Sequence, residues 1–271
     1  MDMGHIAGTA IAGTQVAGTQ VAGTQVVGRI AHVLRAVSTT MPHGLSTTEI
    51  ATRTGLARPT AHRLLSALTS QGFVDHDTRT GRWLLGPELY IMGTVAAERY
   101  DITELARESV RALAATTGES AFFSARRGDE TVCLLREDGS FPVRSHVLYE
   151  GVRFPLGVAS AGIVILSLLP EREVDDYLAA RDLAHEWGEN YTSAALRDRV
   201  ERTRATGYAV NPGLVVEGSW GMAAAVFDAS GNPAWALSLT GIESRFAPRQ
   251  AELGRLLLEH AHRITQRLPR S

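Results

Sequence analysis

The sequence predicts an α+β protein, with a small helical N-terminal domain that carries a hairpin and a larger domain of antiparallel strands bracketed by helices. Apolar residues before residue 86 recur mainly at helical spacing, whereas from Ile102 onward short apolar runs typical of strands lie between helical segments. The balance of basic and acidic residues changes at the same place in the chain. Residues 26–85 carry seven arginines against three acidic residues, and residues 86–271 carry 20 arginines against 25 acidic residues. A basic module on an acidic body is typical of a nucleic-acid-binding segment joined to a second domain.

Composition limits the chemistry that the chain can perform. All 27 basic residues are arginines, so Schiff-base chemistry and Walker-type phosphate binding, which need lysine, are excluded. Cys133 is the single cysteine, which excludes an internal disulfide and a cysteine-clustered zinc site. The sequence has no apolar run of the ~20 residues that span a bilayer and no secretory signal pattern. We therefore expect a cytoplasmic protein that does not bind membranes and uses no metal or cofactor.

The N-terminal segment is repetitive. The unit AGTQV occurs three times over residues 12–26, with too short a period and too few apolar residues to build a solenoid. We expect residues 1–24 to form a flexible tail, residues 25–86 the first domain, residues 87–101 a linker helix and residues 102–271 the second domain.

Local signals place three helices in the first domain. Residues 26–37 have helical apolar spacing, and Ser46 with Glu49 three residues later forms the capping-box pattern of a second helix that stops at Gly55. The third helix begins near Pro59. Its apolar residues recur at helical spacing and form the expected buried face: Ala61, Leu64, Leu65 and Leu68.

A hairpin follows in "GFVDHDTRTGRWLL", with expected strands at Phe73–Asp75 and Arg82–Leu85 and a turn closed by Gly81. Gly86–Pro87 then starts the linker helix, which is expected to run to about Tyr100. Three helices followed by a two-stranded arm form the element order of a winged helix-turn-helix.

The second domain is expected to mix helices and strands. The expected helices cover about residues 102–117, 159–168, 171–181, 192–206 and 247–267. The expected strands are "ESAFFSAR", "ETVCLLRE", "VRSHVLY", "YAV" after Gly207, and a hairpin that turns at Ser230–Gly231.

Two segments resemble the IclR family of transcriptional regulators. "LSTTEIATRTGLARPTAHRLLSALTSQGFV" is similar to the family's DNA-binding helices, and "GYAVNPGLVVEGSWGMAAAVFDASGNPAWALSLTG" is similar to the signature of its effector-binding domain. The resemblance covers residues 25–267. It implies a winged helix-turn-helix, a helical linker and a GAF-like effector-binding domain, in a homodimer that often pairs into a dimer of dimers. It also implies that a small-molecule effector controls binding to a double-stranded DNA operator.

The resemblance and the charge together assign a DNA-binding face to the first domain. The second helix of a helix-turn-helix lies in the major groove, where arginine can bind guanine and hydroxyls or histidine can reach bases or phosphates. The N-terminus of the preceding helix can hold a phosphate, and arginines of the wing suit backbone or minor-groove contacts. The predicted DNA-binding residues are Ser46, Thr47, Arg58, Pro59, Thr60, His62, Arg63, Arg79 and Arg82.

The resemblance also implies an effector pocket in the second domain. The matching residues are Leu156, Gly157, Ser160, Ala161, Asn211, Gly221, Met222, Ser238 and Thr240. Small residues let a ligand approach the backbone, and hydroxyl and N–H groups can bind a carboxylate. Because Gly157 and Gly221 stand where relatives often carry histidine and cysteine, we expect a roomier, less polar pocket. Neutral donors favour one carboxylate over a phosphate, which indicates a medium-sized organic acid such as an aromatic intermediate of a catabolic pathway.

The residues do not form a recognisable catalytic constellation. "GVASAG" lacks the serine spacing of the G-x-S-x-G nucleophile elbow, and His260 and His262 point in different directions on one helix. We therefore expect no catalytic residues, no metal ligands and no enzymatic activity. Two alternatives stay open: a hydrolase-like enzyme domain fused to a DNA-binding arm, and a DNA-binding oligomer that binds no ligand.

Overall fold

The structure is a computed structural model that describes residues 25–40, 42–97, 102–142 and 147–268. The chain divides into two compact units between residues 98 and 99. The predicted tail and the last residues of the predicted linker helix lie outside the described residues. No described helix is both long enough and apolar enough to cross a membrane.

The first unit is a winged helix-turn-helix, as predicted. Its helices are α1 Gln25–Ser38, α2 Thr47–Thr54, α3 Arg58–Ser70 and α4 Pro87–Ala97, and its strands are β1 Leu45–Ser46, β2 Val74–Asp77 and β3 Arg82–Leu85. The strands form an antiparallel sheet in the order β1-β3-β2, so the predicted hairpin gains a two-residue third strand.

Local capping fixes the ends of α2. The Ser46 hydroxyl accepts a hydrogen bond from the Glu49 N–H, and the Glu49 carboxylate accepts one from the Ser46 N–H, which confirms the capping box. Gly55 ends the helix with φ 67°, a left-handed conformation that favours glycine. The turn between α2 and α3 is therefore determined by residues that lie next to it in sequence.

The core of the first unit joins α1, α2 and α3 to the wing. Its buried side chains are apolar except for the indole nitrogen of Trp83, and they are Val33, Val37, Leu45, Ile50, Leu65, Leu68, Val74 and Trp83. Burying one large apolar side chain contributes about 1.5–3 kcal/mol. The helical stripe predicted for α3 is thus its core-facing side, although Leu64 is only half-buried.

The second unit is built on one six-stranded antiparallel sheet. In chain order its elements are α5 Ile102–Thr117, β4 Ser120–Arg127, β5 Glu130–Glu137, β6 Arg153–Pro155, α6 Ser160–Ser167, α7 Glu171–Ala180, α8 Leu183–Trp187, α9 Ser193–Thr206, β7 Ala209–Pro212, β8 Ser219–Phe227, β9 Pro233–Ile242, α10 Glu243–Phe246 and α11 Gln250–Arg267. The sheet order is β6-β5-β4-β9-β8-β7.

Strand alternation gives this sheet two different faces. On one, residues such as Phe123, Met222 and Leu239 pack against α5 and α11. On the other, Ala223 and Ala236 pack under α6 and its neighbours, and we call this the α6 face. Both faces are covered, so both sides of the sheet contribute apolar cores.

Some predicted boundaries were wrong. In the expected strand "VRSHVLY", residues 143–146 lie outside the described residues and 147–149 are not a strand; β6 pairs with Glu130–Val132 instead. Gly151, with φ 87°, turns the chain and donates its N–H to the Cys133 carbonyl, which moves the pairing downstream. The closing helix α11 begins at Gln250 because a 3-10 turn that contains Pro248 precedes it.

Candidate functional site

The first half of α3 presents a basic, solvent-exposed edge. Arg58, Pro59, His62 and Arg63 are exposed, and Thr60 is half-buried beside them. Because Ala61 and Leu65 face the core, helical spacing turns this edge toward solvent. The structure therefore brings together the residues that the sequence assigned to the recognition helix.

A hollow between α1 and α3 adds an arginine that sequence reasoning missed. The hollow has a volume of about 240 Å³ and is lined by Val26, Arg29, Thr60, Arg63 and Leu64. Arg29 comes from α1 and Arg63 from α3, so arginines of two different helices line the same part of the basic edge. In the sequence Arg29 was visible only as one of the seven arginines of the basic segment.

The turn of the wing holds Arg79 at an exposed position. The Asp77 carboxylate accepts hydrogen bonds from the Thr80 hydroxyl at 2.7 Å and from the Arg79 N–H at 2.9 Å. These two bonds, the hydroxyl first, lower the pKa of Asp77. The turn is thus shaped by an ionised carboxylate, and the Arg79 side chain extends from it into solvent.

Arg82 and Ser46, both predicted DNA contacts, are engaged within the protein. The Arg82 guanidinium donates to the Gly44 carbonyl at 2.9 Å and lies 3.7 Å from the Glu49 carboxylate. The Ser46 N–H and hydroxyl both donate to that carboxylate, at 2.8 and 2.7 Å. The ionised Glu49 conflicts with a phosphate site at this helix N-terminus, because its negative charge would repel a phosphate. Arg82 therefore has structural contacts that the prediction did not include, and Ser46 is engaged in the capping box that the sequence predicted.

Trp83 is a second residue that sequence reasoning missed. Its indole Nε1 donates to the Thr47 hydroxyl at 3.0 Å. The His76 ring of β2 stacks on the indole at 4.2 Å between ring centres, and the His62 ring of α3 meets it edge-on at 6.2 Å. Trp83 therefore contacts the start of α2, the first half of α3 and the wing, although the sequence indicates only an apolar wing residue.

Polar groups collect on the α6 face of the second unit. In the sheet register Asn211 lies opposite Gly221, and Gly221 lies opposite Thr240. Ser238 lies on the same face, two residues before Thr240 on β9. The Asn211 Oδ1, Ser238 Oγ and Thr240 Oγ1 atoms are buried, with no hydrogen-bond partner among the described residues.

The start of α6 lies directly over this polar group. The Asn211 amide donates to the Val158 carbonyl at 2.7 Å, which ties β7 to the segment before α6. A Cβ atom at Gly221 would lie 3.1 Å from the Ser160 hydroxyl oxygen, so Ser160 approaches β8 closely. Five of the predicted effector residues thus converge: Ser160, Asn211, Gly221, Ser238 and Thr240.

The other predicted effector residues have different surroundings. The Met222 side chain lies on the opposite face, in the core with α5 and α11, because neighbouring residues of a strand point to opposite sides. Leu156 and Ala161 are buried in the apolar core of the α6 face, and the Leu156 carbonyl accepts a hydrogen bond from the Tyr177 hydroxyl at 2.6 Å. The Met222 side chain therefore cannot line a site on the α6 face.

The expectation of a roomier pocket conflicts with the packing around both glycines. Gly157 has φ 87°, and a Cβ atom there would lie 2.9 Å from a Leu196 methyl carbon. The space over Gly221 is occupied by Ser160. The two glycines allow close packing of the backbone, and neighbouring side chains already take the space that larger residues would have filled.

Metal binding and cysteine reactivity were the two chemical possibilities that the structure can address in the described residues. No cluster of three histidine, cysteine, aspartate or glutamate residues there is arranged to hold a metal ion. Burial raises the pKa of Cys133 to about 12, so its thiol stays protonated at neutral pH.

The first unit is a winged helix-turn-helix with a basic edge, and the second is an α+β domain with buried polar groups. This combination is typical of DNA-binding regulators that carry a ligand-binding domain. The model of the bacterial transcriptional regulator IclR C-terminal domain matches residues 94–266, and that of the IclR helix-turn-helix domain matches residues 26–78. The chain belongs to the IclR family, as its resemblance indicated. It is a DNA-binding transcriptional regulator with a C-terminal ligand-binding domain.

Individual relatives are similar over most of the chain. The HTH-type transcriptional regulator BhcR of Paracoccus denitrificans is 30% identical over 82% of this chain and 80% of its own length. The transcriptional repressor IclR of Escherichia coli is 25% identical over 80% of this chain and 81% of its own length. The crystal structure of an IclR-type regulator from Alicyclobacillus acidocaldarius is 26% identical, with a TM-score of 0.72 over 89% of this chain and 97% of that chain.

Proposed function

We propose that the exposed edge of α3 and the Arg79 turn bind an operator, and that a small organic acid bound at the α6 face controls this binding. The observation that carries the proposal is the group of three buried polar atoms on Asn211, Ser238 and Thr240 that have no hydrogen-bond partner among the described residues. The protein would act as a ligand-responsive regulator in which the two units have separate tasks.

Exposure and charge support the DNA contacts. Arg58 and Arg63 are exposed on the first turns of α3, where a recognition helix meets base edges. Arg29 adds positive charge beside Arg63. Arg79 lies on the wing, where a contact with the sugar-phosphate backbone supplies affinity without sequence preference.

The buried polar atoms of the α6 face, which have no partner within the described part of the chain, support the ligand site. A buried polar group without a partner costs about 1–3 kcal/mol, so a ligand that pairs with Ser238 and Thr240 recovers that cost. The N-cap residue of α6, Ala159, has no side chain that can cap the helix. The first N–H groups of α6 are therefore suited to a carboxylate, which a helix N-terminus attracts.

The chemical class of the ligand follows from the side chains on this face. The five converging residues carry no charge, which suits a single carboxylate better than a phosphate. Ala223, Ala225 and Ala236 continue the same face as small apolar residues. These alanines are covered by α6 in this structure, so a ligand would have to displace part of α6 to lie on them. A flat apolar group needs the least displacement, and we therefore propose an aromatic monocarboxylic acid as the effector.

The test combines calorimetry with operator binding. Benzoate is the probe, with cyclohexanecarboxylate and inorganic phosphate as comparisons for ring flatness and for charge. We expect benzoate to bind and to change operator affinity, and phosphate to do neither. If benzoate and a wider panel of aromatic acids neither bind nor change operator affinity, the proposed effector class is wrong.

We also propose that the protein acts as a homodimer or a dimer of dimers. Large apolar side chains on α4 are exposed, and they are Tyr90, Ile91, Met92 and Val95. Exposed apolar surface of this kind marks association sites, and paired half-sites raise operator affinity. Light scattering should give two or four times the 29.2 kDa chain mass; a monomer at micromolar concentration would contradict the proposal.

A further inference from the structure

Three buried hydrogen-bond donors without partners among the described residues lie at and around Tyr191, on residues that the proposed effector site does not include. They are the Trp187 Nε1, the Tyr191 hydroxyl and the Arg199 Nη1. The Arg199 guanidinium carbon lies 5.2 Å from the centre of the Tyr191 ring, and the Trp187 ring centre lies 6.2 Å from it. We infer that this cluster, which we call the Tyr191 cluster, binds a small monocarboxylate.

The charge of Arg199 is the strongest reason for this inference. The residue is 7% exposed, and its hydrogen bond among the described residues goes to the Asn190 carbonyl. No ion pair in the described part of the chain includes Arg199. An arginine does not lose its proton in a protein, so deprotonation cannot lower the free-energy cost of burying its charge. A bound counter-ion lowers that cost instead.

Neighbouring arginines of α9 show the contrast. Arg197 lies 2.6 Å from the Asp175 carboxylate, and Arg204 lies 2.7 Å from the Glu171 carboxylate. Both are more exposed than Arg199, so water as well as an acidic partner stabilises their charge. Arg199 is buried, and no described carboxylate forms an ion pair with it.

The chemistry of the cluster defines its ligand. Indole and guanidinium nitrogens only donate hydrogen bonds, and burial raises the pKa of Tyr191 to about 12, which keeps its hydroxyl protonated. The missing partner must therefore accept hydrogen bonds. A single positive charge suits a monoanion, and the two oxygens of a carboxylate can accept from several donors.

Short elements cover the cluster. Trp187 ends α8 and is only half-buried, and Gly188, with φ 94°, separates it from the 3-10 turn that contains Tyr191. The cluster belongs to α8, the 3-10 turn and α9. It shares no residue with the proposed effector site, so the two proposals can fail separately.

The test measures thermal unfolding and calorimetric binding of the full chain with sodium acetate. The buffer has constant ionic strength, with sulfate as the other anion. We expect acetate to raise the Tm in a saturable way, and Arg199→Gln to abolish this response. Tyr191→Phe should weaken acetate binding by about 10-fold, the loss expected for one hydrogen bond to a charged group.

Two control variants show whether the acetate response depends on the Tyr191 cluster. Arg202→Gln removes an exposed arginine of the same helix and should leave the acetate response unchanged. Arg197→Gln removes an arginine of the same helix that has an acidic partner, and it should also leave the acetate response unchanged. If Arg199→Gln does not fold, Tyr191→Phe and Trp187→Phe replace it in the test, because both keep the arginine and a ring.

Four outcomes would overturn the inference. They are no saturable response to acetate, an unchanged response in Arg199→Gln, an unchanged response in both Tyr191→Phe and Trp187→Phe, and loss of the response in Arg202→Gln or Arg197→Gln. In the first case the buried donors bind water only.

Discussion

The replacement Thr240→Val should stabilise the protein and weaken its response to effector at the same time. The Thr240 hydroxyl is buried without a partner among the described residues, so the folded state carries the cost of an unmade hydrogen bond, about 1–3 kcal/mol. Valine keeps the branched shape and removes the polar atom. We expect the free energy of unfolding to rise by about 1 kcal/mol, which corresponds to a Tm increase of about 2–4 °C for a domain of this size.

The same change removes a hydroxyl that the proposed effector would use. Loss of one hydrogen bond to a carboxylate should weaken effector binding by about 10-fold or more. Operator affinity without effector should stay unchanged, because Thr240 belongs to the second unit and the proposed DNA contacts belong to the first.

A matched control has a satisfied hydroxyl. Thr117 is buried, and its hydroxyl donates to the Leu113 carbonyl at 2.7 Å. Thr117→Val should therefore lower stability instead of raising it. Urea unfolding and calorimetry with the effector measure both quantities. If Thr240→Val is destabilised and binds effector like the parent, the Thr240 hydroxyl stabilises the fold and is not an effector contact.

The remaining predictions concern DNA binding and pH. Arg58→Ala and Arg63→Ala should each weaken specific operator binding by about 1–3 kcal/mol in a fluorescence anisotropy titration, whereas Arg172→Ala, an exposed change in the second unit, should have no effect. Arg79→Ala should weaken binding to all sequences and reduce the slope of log K against log salt by about 1; an unchanged slope would argue against a phosphate contact. Hydrogen bonds from Ser46 lower the pKa of Glu49 below its usual 4.5, so its contribution to stability is present above that pH and is lost as the pH falls through the lowered value. Glu49→Gln should flatten this acid limb of a stability–pH curve, and an identical limb in both proteins would contradict the assignment.

Elements with local causes were predictable from the amino-acid sequence. The capping box of Ser46 and Glu49, the left-handed Gly55 and the exposed edge of α3 follow from residues within a few positions of one another. Alternation along β8 likewise places Gly221 and Met222 on opposite faces, so the strand pattern itself was enough to separate Met222 from the other effector residues.

Long-range packing, in contrast, determines which polar side chains form hydrogen bonds within the protein. Arg82 bonds to Gly44 and Trp83 bonds to Thr47, although these partners are 38 and 36 positions apart in the chain. The sequence shows an arginine and a tryptophan at the wing but not the groups that fold against them. No local pattern encodes these contacts.

The same reason applies to the second unit. Ser160 fills the space over Gly221 because α6 packs on β8, so a glycine that suggested room in the sequence is a point of close contact in the structure. The sequence does not distinguish between Arg197, Arg199 and Arg204, which all lie on α9. Packing buries only Arg199 among them, and no described carboxylate forms an ion pair with it. Burial and partnership depend on elements brought together from distant parts of the chain, and the sequence alone does not reveal them.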